Sequence, residues 1–193
     1  MRALLDAAIP GPGGRLDRGS ARAQRAVTAA AGSRPGRRIF PALRGDEWLG
    51  PPLHPFLVPV PILAWTAGAY QDWRGVRVGD VGAQRRGDVL LEVGLLGVAI
   101  AVLTGQAQFP DASGVARRET ALHVALVGFV LGLQLTSLTA RHRGRRRSAR
   151  RLSAVSVALL PVSGVLGIDQ AARLQKGHYP DGLNRSRAAS SVS

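Results

Sequence analysis

The sequence predicts an all-α integral membrane protein, a four-helix antiparallel bundle with disordered tails. Three observations carry that expectation. Charges are absent from 48–71, 93–110, 120–140 and 152–168, runs of 24, 18, 21 and 17 residues. Such runs are apolar on every side and approach the ~20 residues that cross about 30 Å of hydrocarbon, whereas a soluble helix shows charge on its wet face at every turn. Arginine is dense between and outside the runs, as at the ends of membrane spans. Small residues recur at four-residue spacing inside them, as Gly97, Ala101, Gly105 and as Gly128, Gly132, where two helices can approach closely.

The elements follow in order. Residues 1–49 are rich in Arg, Gly, Ala and Pro without sustained periodicity and read as a disordered tail. No cleavable signal peptide is expected, because Asp6, Pro10 and Pro12 interrupt the first apolar stretch. Helix 1 of the bundle should begin near Pro55 and run to about Tyr70, with Pro59 and Pro61 opening or kinking its first half, since each removes a backbone donor and crowds the preceding turn. Helix 2 should run from about Asp88 to Gly105, helix 3 from an N-cap at Thr120 to Ala140, and helix 4 from Leu152 to Ile168, bent at Pro161. Residues 50–178 thus form the membrane domain, residues 179–193 a second loose tail, and no internal repeat is legible.

The net charge of +14 and the patch "RHRGRRRSARR" at 141–151 invite a nucleic-acid reading. No aromatic or glycine-rich module accompanies the patch, and it lies between two apolar runs. Contact with the anionic head groups of a lipid bilayer explains it better than nucleic acid does. The two short loops on one side, side B, hold eleven arginines, which places side B in the cytoplasm of a multi-pass protein of a bacterial plasma membrane. With no cysteine, disulfides, thiolate metal sites and cysteine nucleophiles are excluded. No nucleophile motif, phosphate-cradling glycine loop or HExxH appears, so an enzymatic role has no support in the sequence.

Few residues could carry chemistry. His54 opens helix 1 and His123 lies one turn inside helix 3, so an antiparallel bundle puts both imidazoles at the opposite membrane face, side A. Helix 2 ends there with Gln106 and helix 4 with Asp169. Two neutral imidazoles from facing helices suit a haem iron or, with Asp169, a transition metal. The same rings could instead hydrogen-bond carbonyls left open by the prolines, or handle a quinone or a proton. Gln134 follows His123 on nearly the same face and looks to Ser156 or Ser163 for a partner. Glu92, the acid inside a span, is within reach of Arg141 or Arg151 as a structural ion pair, with a proton relay as the rival reading. Trp48 and Phe109 on one side, with Tyr70 and Trp73 on the other, suit interfacial aromatic belts.

The stretches "GPPLHPFLVPVPI" (50–62), "LTGQAQF" (103–109), "ARRETALH" (116–123) and "SGVLGIDQ" (163–170) carry a resemblance. Over about residues 50–178 the chain resembles a bacterial family of four-helix membrane proteins of unknown function, domain-of-unknown-function family 2231. The family's HPxLVxxPI pattern falls on His54, Pro55, Leu57, Val58, Pro61 and Ile62, its TG turn on Thr104 and Gly105, and its helix 3 histidine on His123. Many relatives carry an acid where this chain has Gln108 and an asparagine where it has Val127, departures that weaken any ligand cluster at side A. Some relatives are joined to Rieske-type iron–sulfur domains, so the resemblance implies an electron-transfer setting. Three roles stand open: a non-enzymatic membrane scaffold or interaction subunit, a haem- or quinone-linked redox subunit with His54 and His123 as ligands and an electron-transfer partner, and a small-solute or ion carrier using Glu92 and Gln134. Homo-oligomerisation is compatible with each.

Overall fold

The computed structural model describes residues 14–111 and 114–177. Every regular element among them is helical. In chain order these are α1 (Arg15–Gly32), α2 (Gly36–Arg44), α3 (Asp46–Leu49), α4 (His54–Leu57), α5 (Pro59–Arg77), α6 (Val81–Gln106), a 3₁₀ turn (Phe109–Asp111), α7 (Gly114–His142) and α8 (Arg146–Gly177).

Three of the helices are long and apolar enough to cross a membrane: Val81–Gln106, Arg117–His142 and Arg146–Asp169. α7 and α8 run past both ends of the charge-free stretches that announced them, and α6 runs past its stretch at the start. The arginines at those ends keep helical backbone while their long stems let the guanidinium reach water, so the charge boundary is not the helix boundary. Thr120, expected as an N-cap, is therefore a buried residue inside α7. The cap of α6 is Asp80, whose carboxylate accepts from the Ala83 amide at 3.0 Å. The fourth expected span differs. Its 24-residue run is split at Val58 into α4 and α5, because Pro59 donates no backbone proton and takes the first helical position of a new segment. Within α5, Asp72, Arg74 and Arg77 follow the charge-free part.

Packing pairs the helices in sequence. α5 lies along α6 and α7 along α8, while α5 meets α8 and α6 meets α7 more lightly. Glycine decides how closely the first pair packs. A Cβ on Gly94 would lie 2.2 Å from the Trp65 indole nitrogen, and one on Gly97 would lie 3.0 Å from Val60 and 3.2 Å from Pro61. The ladder of small residues on α6 thus admits the bulk of α5, and Trp65 turns its indole N–H to the Leu91 carbonyl at 3.2 Å. Gly128 and Gly132 behave otherwise: both are exposed on α7 with no atom near a Cβ position, so they make no helix contact within the chain.

Residues 15–49, read from composition as a loose tail, carry α1, α2 and α3. α1 packs on α7 and on the 3₁₀ turn, where Gln24 donates to the carbonyls of Phe109 and Pro110 at 3.2 and 3.0 Å. Alanine spacing and a tertiary seat stabilise a helix whose own sequence holds little apolar surface. Phe109 is consequently buried and does not belong to an aromatic belt, whereas Trp48, Tyr70 and Trp73 are exposed as expected.

Candidate functional site

Two clusters of polar side chains occupy the interior between α5, α6, α7 and α8. The larger centres on Arg141. Pro61, Trp65, Gly68 and Asp72 fall on one buried face of α5, and that face delivers the Asp72 carboxylate inward near the helix end. From α7 the Arg141 guanidinium grips both Asp72 oxygens and also donates to Asp88 of α6 at 2.6 Å. Arg146 of α8 holds the two Asp88 oxygens at 3.2 and 2.8 Å, so four helices meet in one chain of ion pairs. The Arg141 and Asp72 side chains are only 5% and 4% exposed, whereas Asp88 and Arg146 reach the surface. Gly87 is what admits the carboxylate, for a Cβ there would lie 2.9 Å from Asp72 Oδ1.

The cluster continues inward through hydroxyls. Ser153 donates to Gln134 Oε1 at 3.0 Å, and Ser137 donates to the Ala149 carbonyl at 2.8 Å while lying 2.9 Å from Ser153. The sequence expectation for Gln134 is corrected here: its partner is Ser153, one turn before Ser156 on the same face of α8. Ser156 is buried with no partner for its hydroxyl.

The second cluster lies at the other end and holds the predicted histidines. His54 Nδ1 is 2.7 Å from the Ala101 carbonyl oxygen. Only an N–H satisfies a carbonyl, so the proton sits on Nδ1 and Nε2 keeps the lone pair. The Thr104 hydroxyl supports the same corner, 3.0 Å from that carbonyl. The Nδ1 of His123 is buried without a partner among the described residues. Each ring brings its Cε1 edge against a glycine: a Cβ on Gly105 would be 2.9 Å from His54 Cε1, and one on Gly167 would be 3.2 Å from His123 Cε1.

The remaining predicted residues scatter. Asp169 is buried on α8 just beyond Gly167, and Gln106 is half-buried at the end of α6. Among the described residues no group of three or more histidines and acids has the arrangement of a metal site; His178 lies outside them. Pro59 is exposed at the start of α5 and Pro61 is buried against Gly97. Glu92 sits on the exposed face of α6. Arg141, the base it was expected to meet, is committed to Asp72 and Asp88, and Arg151 is exposed on α8. Glu92 is exposed and Gln134 is buried.

Sequence reasoning missed Asp72, Asp88, Arg146 and Ser153. Its one usable signal was position, because Asp72 and Arg141 each terminate a charge-free run at the same membrane edge. Beside the histidine end, a cleft of about 670 Å³ opens between α2, α3 and the end of α6, lined by Phe40, Pro41, Arg44, Asp46, Ala107 and Pro110.

No curated protein and no solved structure matches the chain. The three apolar helices with a polar interior are features of a protein built for lipid. The family described as "Predicted membrane protein (DUF2231)" matches residues 50–179, about two thirds of the chain, and the protein belongs to that family.

Proposed function

We propose that the protein is a multi-pass subunit of a bacterial plasma membrane, with α5 to α8 forming a four-span antiparallel bundle that serves as a non-enzymatic scaffold for a partner or for a second copy. The observation that carries this reading is how the interior polar groups are used. Arg141, Asp72, Asp88, Gln134, Ser137, Ser153 and Trp65 all bond neighbouring helices. Polar groups tied helix to helix in hydrocarbon hold one packing arrangement in place. Basic loops carry it against anionic head groups, and the exposed Tyr70 and Trp73 rings stack 5.9 Å apart at one interface with Arg77 over Trp73. The test is protein purified in mild detergent: a single defined assembly with no chromophore and no solute flux in proteoliposomes is expected. Flux that Glu92→Gln abolishes would overturn it in favour of a carrier.

One observation favours a second reading, a haem- or quinone-linked redox subunit. A ligating histidine ordinarily donates its other ring N–H to a carbonyl, which fixes the tautomer and aims the lone pair. His54 does this with Ala101. A Soret band that shifts on reduction and disappears in His54→Ala and in His123→Ala supports this reading; colourless protein reconstituted with haemin rejects the haem form.

A further inference from the structure

The two helix pairs match at a set of interior positions. His54 of α4 precedes Asp72 of α5 by 18 residues, and His123 precedes Arg141 within α7 by 18, five turns at 3.6 residues each; Val58 between α4 and α5 keeps helical dihedrals (φ −56°, ψ −38°), so the phase carries across and in both halves the histidine and the charge share one face. Shifting α5 by 69 residues onto α7 superposes buried on buried: Pro61 on Val130, Trp65 on Gln134, Gly68 on Ser137 and Asp72 on Arg141. Shifting α6 by 62 onto α8 does the same, with Gly87 on Ala149, Leu91 on Ser153, Gly94 on Ser156 and Ala101 on Ser163.

Contacts match as well as burial. Trp65 meets Leu91 where Gln134 meets Ser153. Gly68 approaches the Gly87 carbonyl where Ser137 bonds the Ala149 carbonyl. His54 bonds the Ala101 carbonyl and lies against Gly105, four residues on; His123 lies against Gly167, four residues after Ser163, the counterpart of Ala101. Periodic burial alone would align any two helices, but it would not carry the same pairwise contacts at one fixed offset for each helix pair, 69 and 62.

Across the two halves, α5 and α7 are joined inside the bundle by Asp72 and Arg141. That pairing fixes their relative depth at one end. Five turns back on both helices, the imidazoles must then stand level at the other end, each with a ring nitrogen left over.

We infer that the membrane domain is two copies of one histidine-led hairpin related by a pseudo-twofold axis, and that His54 and His123 form a single site on that axis where one transition-metal centre takes one ring nitrogen from each copy. Neutral imidazole is a ligand for zinc, copper, nickel and iron, and a pair of them is the axial set of a six-coordinate haem. The shared chemistry is two equivalent imidazole nitrogens on one metal, whether the ion arrives free or inside a macrocycle. The inference rests on the imidazole placement of the redox reading but not on electron transfer: a bound zinc ion satisfies it and leaves the redox reading without support.

The test uses the full chain, metal-stripped, in lipid nanodiscs, titrated separately with Zn²⁺, Cu²⁺ and haemin. One equivalent of metal per chain is expected for at least one probe, with affinity falling at least tenfold in His54→Gln and equally in His123→Gln. Glutamine keeps a side-chain donor for the carbonyl, and unchanged elution and helicity show that the variants fold. For Cu²⁺ the electron spin resonance spectrum should show two equivalent nitrogens, and for haemin a Soret band that both variants lose. Free-ion binding without a Soret band assigns the site to an ion, and the reverse assigns it to haem. Failure of all three probes overturns the proposal, as do two equivalents per chain or binding that survives the loss of one histidine.

Discussion

At the scale of single residues, the interior is governed by whether a charge keeps its partner. Removing Arg141 leaves Asp72 and part of Asp88 facing a cavity, and a buried charge stripped of its counter-ion costs about 3–5 kcal/mol. Arg141→Met should therefore lower the thermal midpoint sharply in detergent. Arg141→Met combined with Asp72→Asn should recover much of the loss, because the second change removes the stranded charge. Equal midpoints for the single and double variants would contradict the assignment. Glycines give a second test. Gly94→Ala forces a methyl into the Trp65 indole and should cost about 1–3 kcal/mol by overpacking. Gly128→Ala, with open space around it, should stay within about 0.5 kcal/mol. Similar melting of the two variants would mean that Gly94 is not the close-packing position.

At the scale of elements, α6 begins where Asp80 accepts the Ala83 amide, a bond that holds this exposed carboxyl below its ordinary value with help from Arg86. A carboxyl whose folded value is depressed adds stability above its unfolded value, near about 3.9, and loses it as pH falls through the folded value. Asp80→Ala should thus lower the melting temperature at neutral pH, and the gap from the parent should close in strongly acidic buffer. A gap independent of pH would deny the cap. The C-terminal end of α6 was read to within a residue, but its start, the start of α7 and both ends of α8 were not legible, because charged residues ended the charge-free runs there but not the helices. Positions were read better than partners. His54 and His123 could be set at one end from helix spacing alone, and the splitting of the first run followed from Pro59. Gln134 could not be matched to Ser153, because hydrogen-bond choice depends on a rotation of α8 that composition does not fix. The repeat escaped notice because residues 54–73 and 123–142 are identical only at the histidine and the Leu-Val pair three residues on, while Trp65, Gly68 and Asp72 stand where Gln134, Ser137 and Arg141 stand in the other half.

At the scale of the whole molecule, the fourth span decides the topology. α5 is 19 residues long, roughly 28 Å at 1.5 Å per residue, but its last turns carry Asp72, Arg74 and Arg77. Crossing depends on α4 and the prolines completing the apolar length. The cysteine-free chain makes labelling direct: of Trp48→Cys and Val78→Cys, one alone should react with an impermeant maleimide in whole cells, and the other only after permeabilisation. Reaction from the same side would leave three spans and place α5 at the interface. The Asp72, Arg141, Asp88 and Arg146 knot has an electrical corollary. Two acids and two bases sum to zero, so a transmembrane voltage exerts no net pull on the group, where a lone buried arginine would feel about 2.3 kcal/mol per 100 mV if carried across. The tie between the helices should therefore hold equally in resting and energised cells.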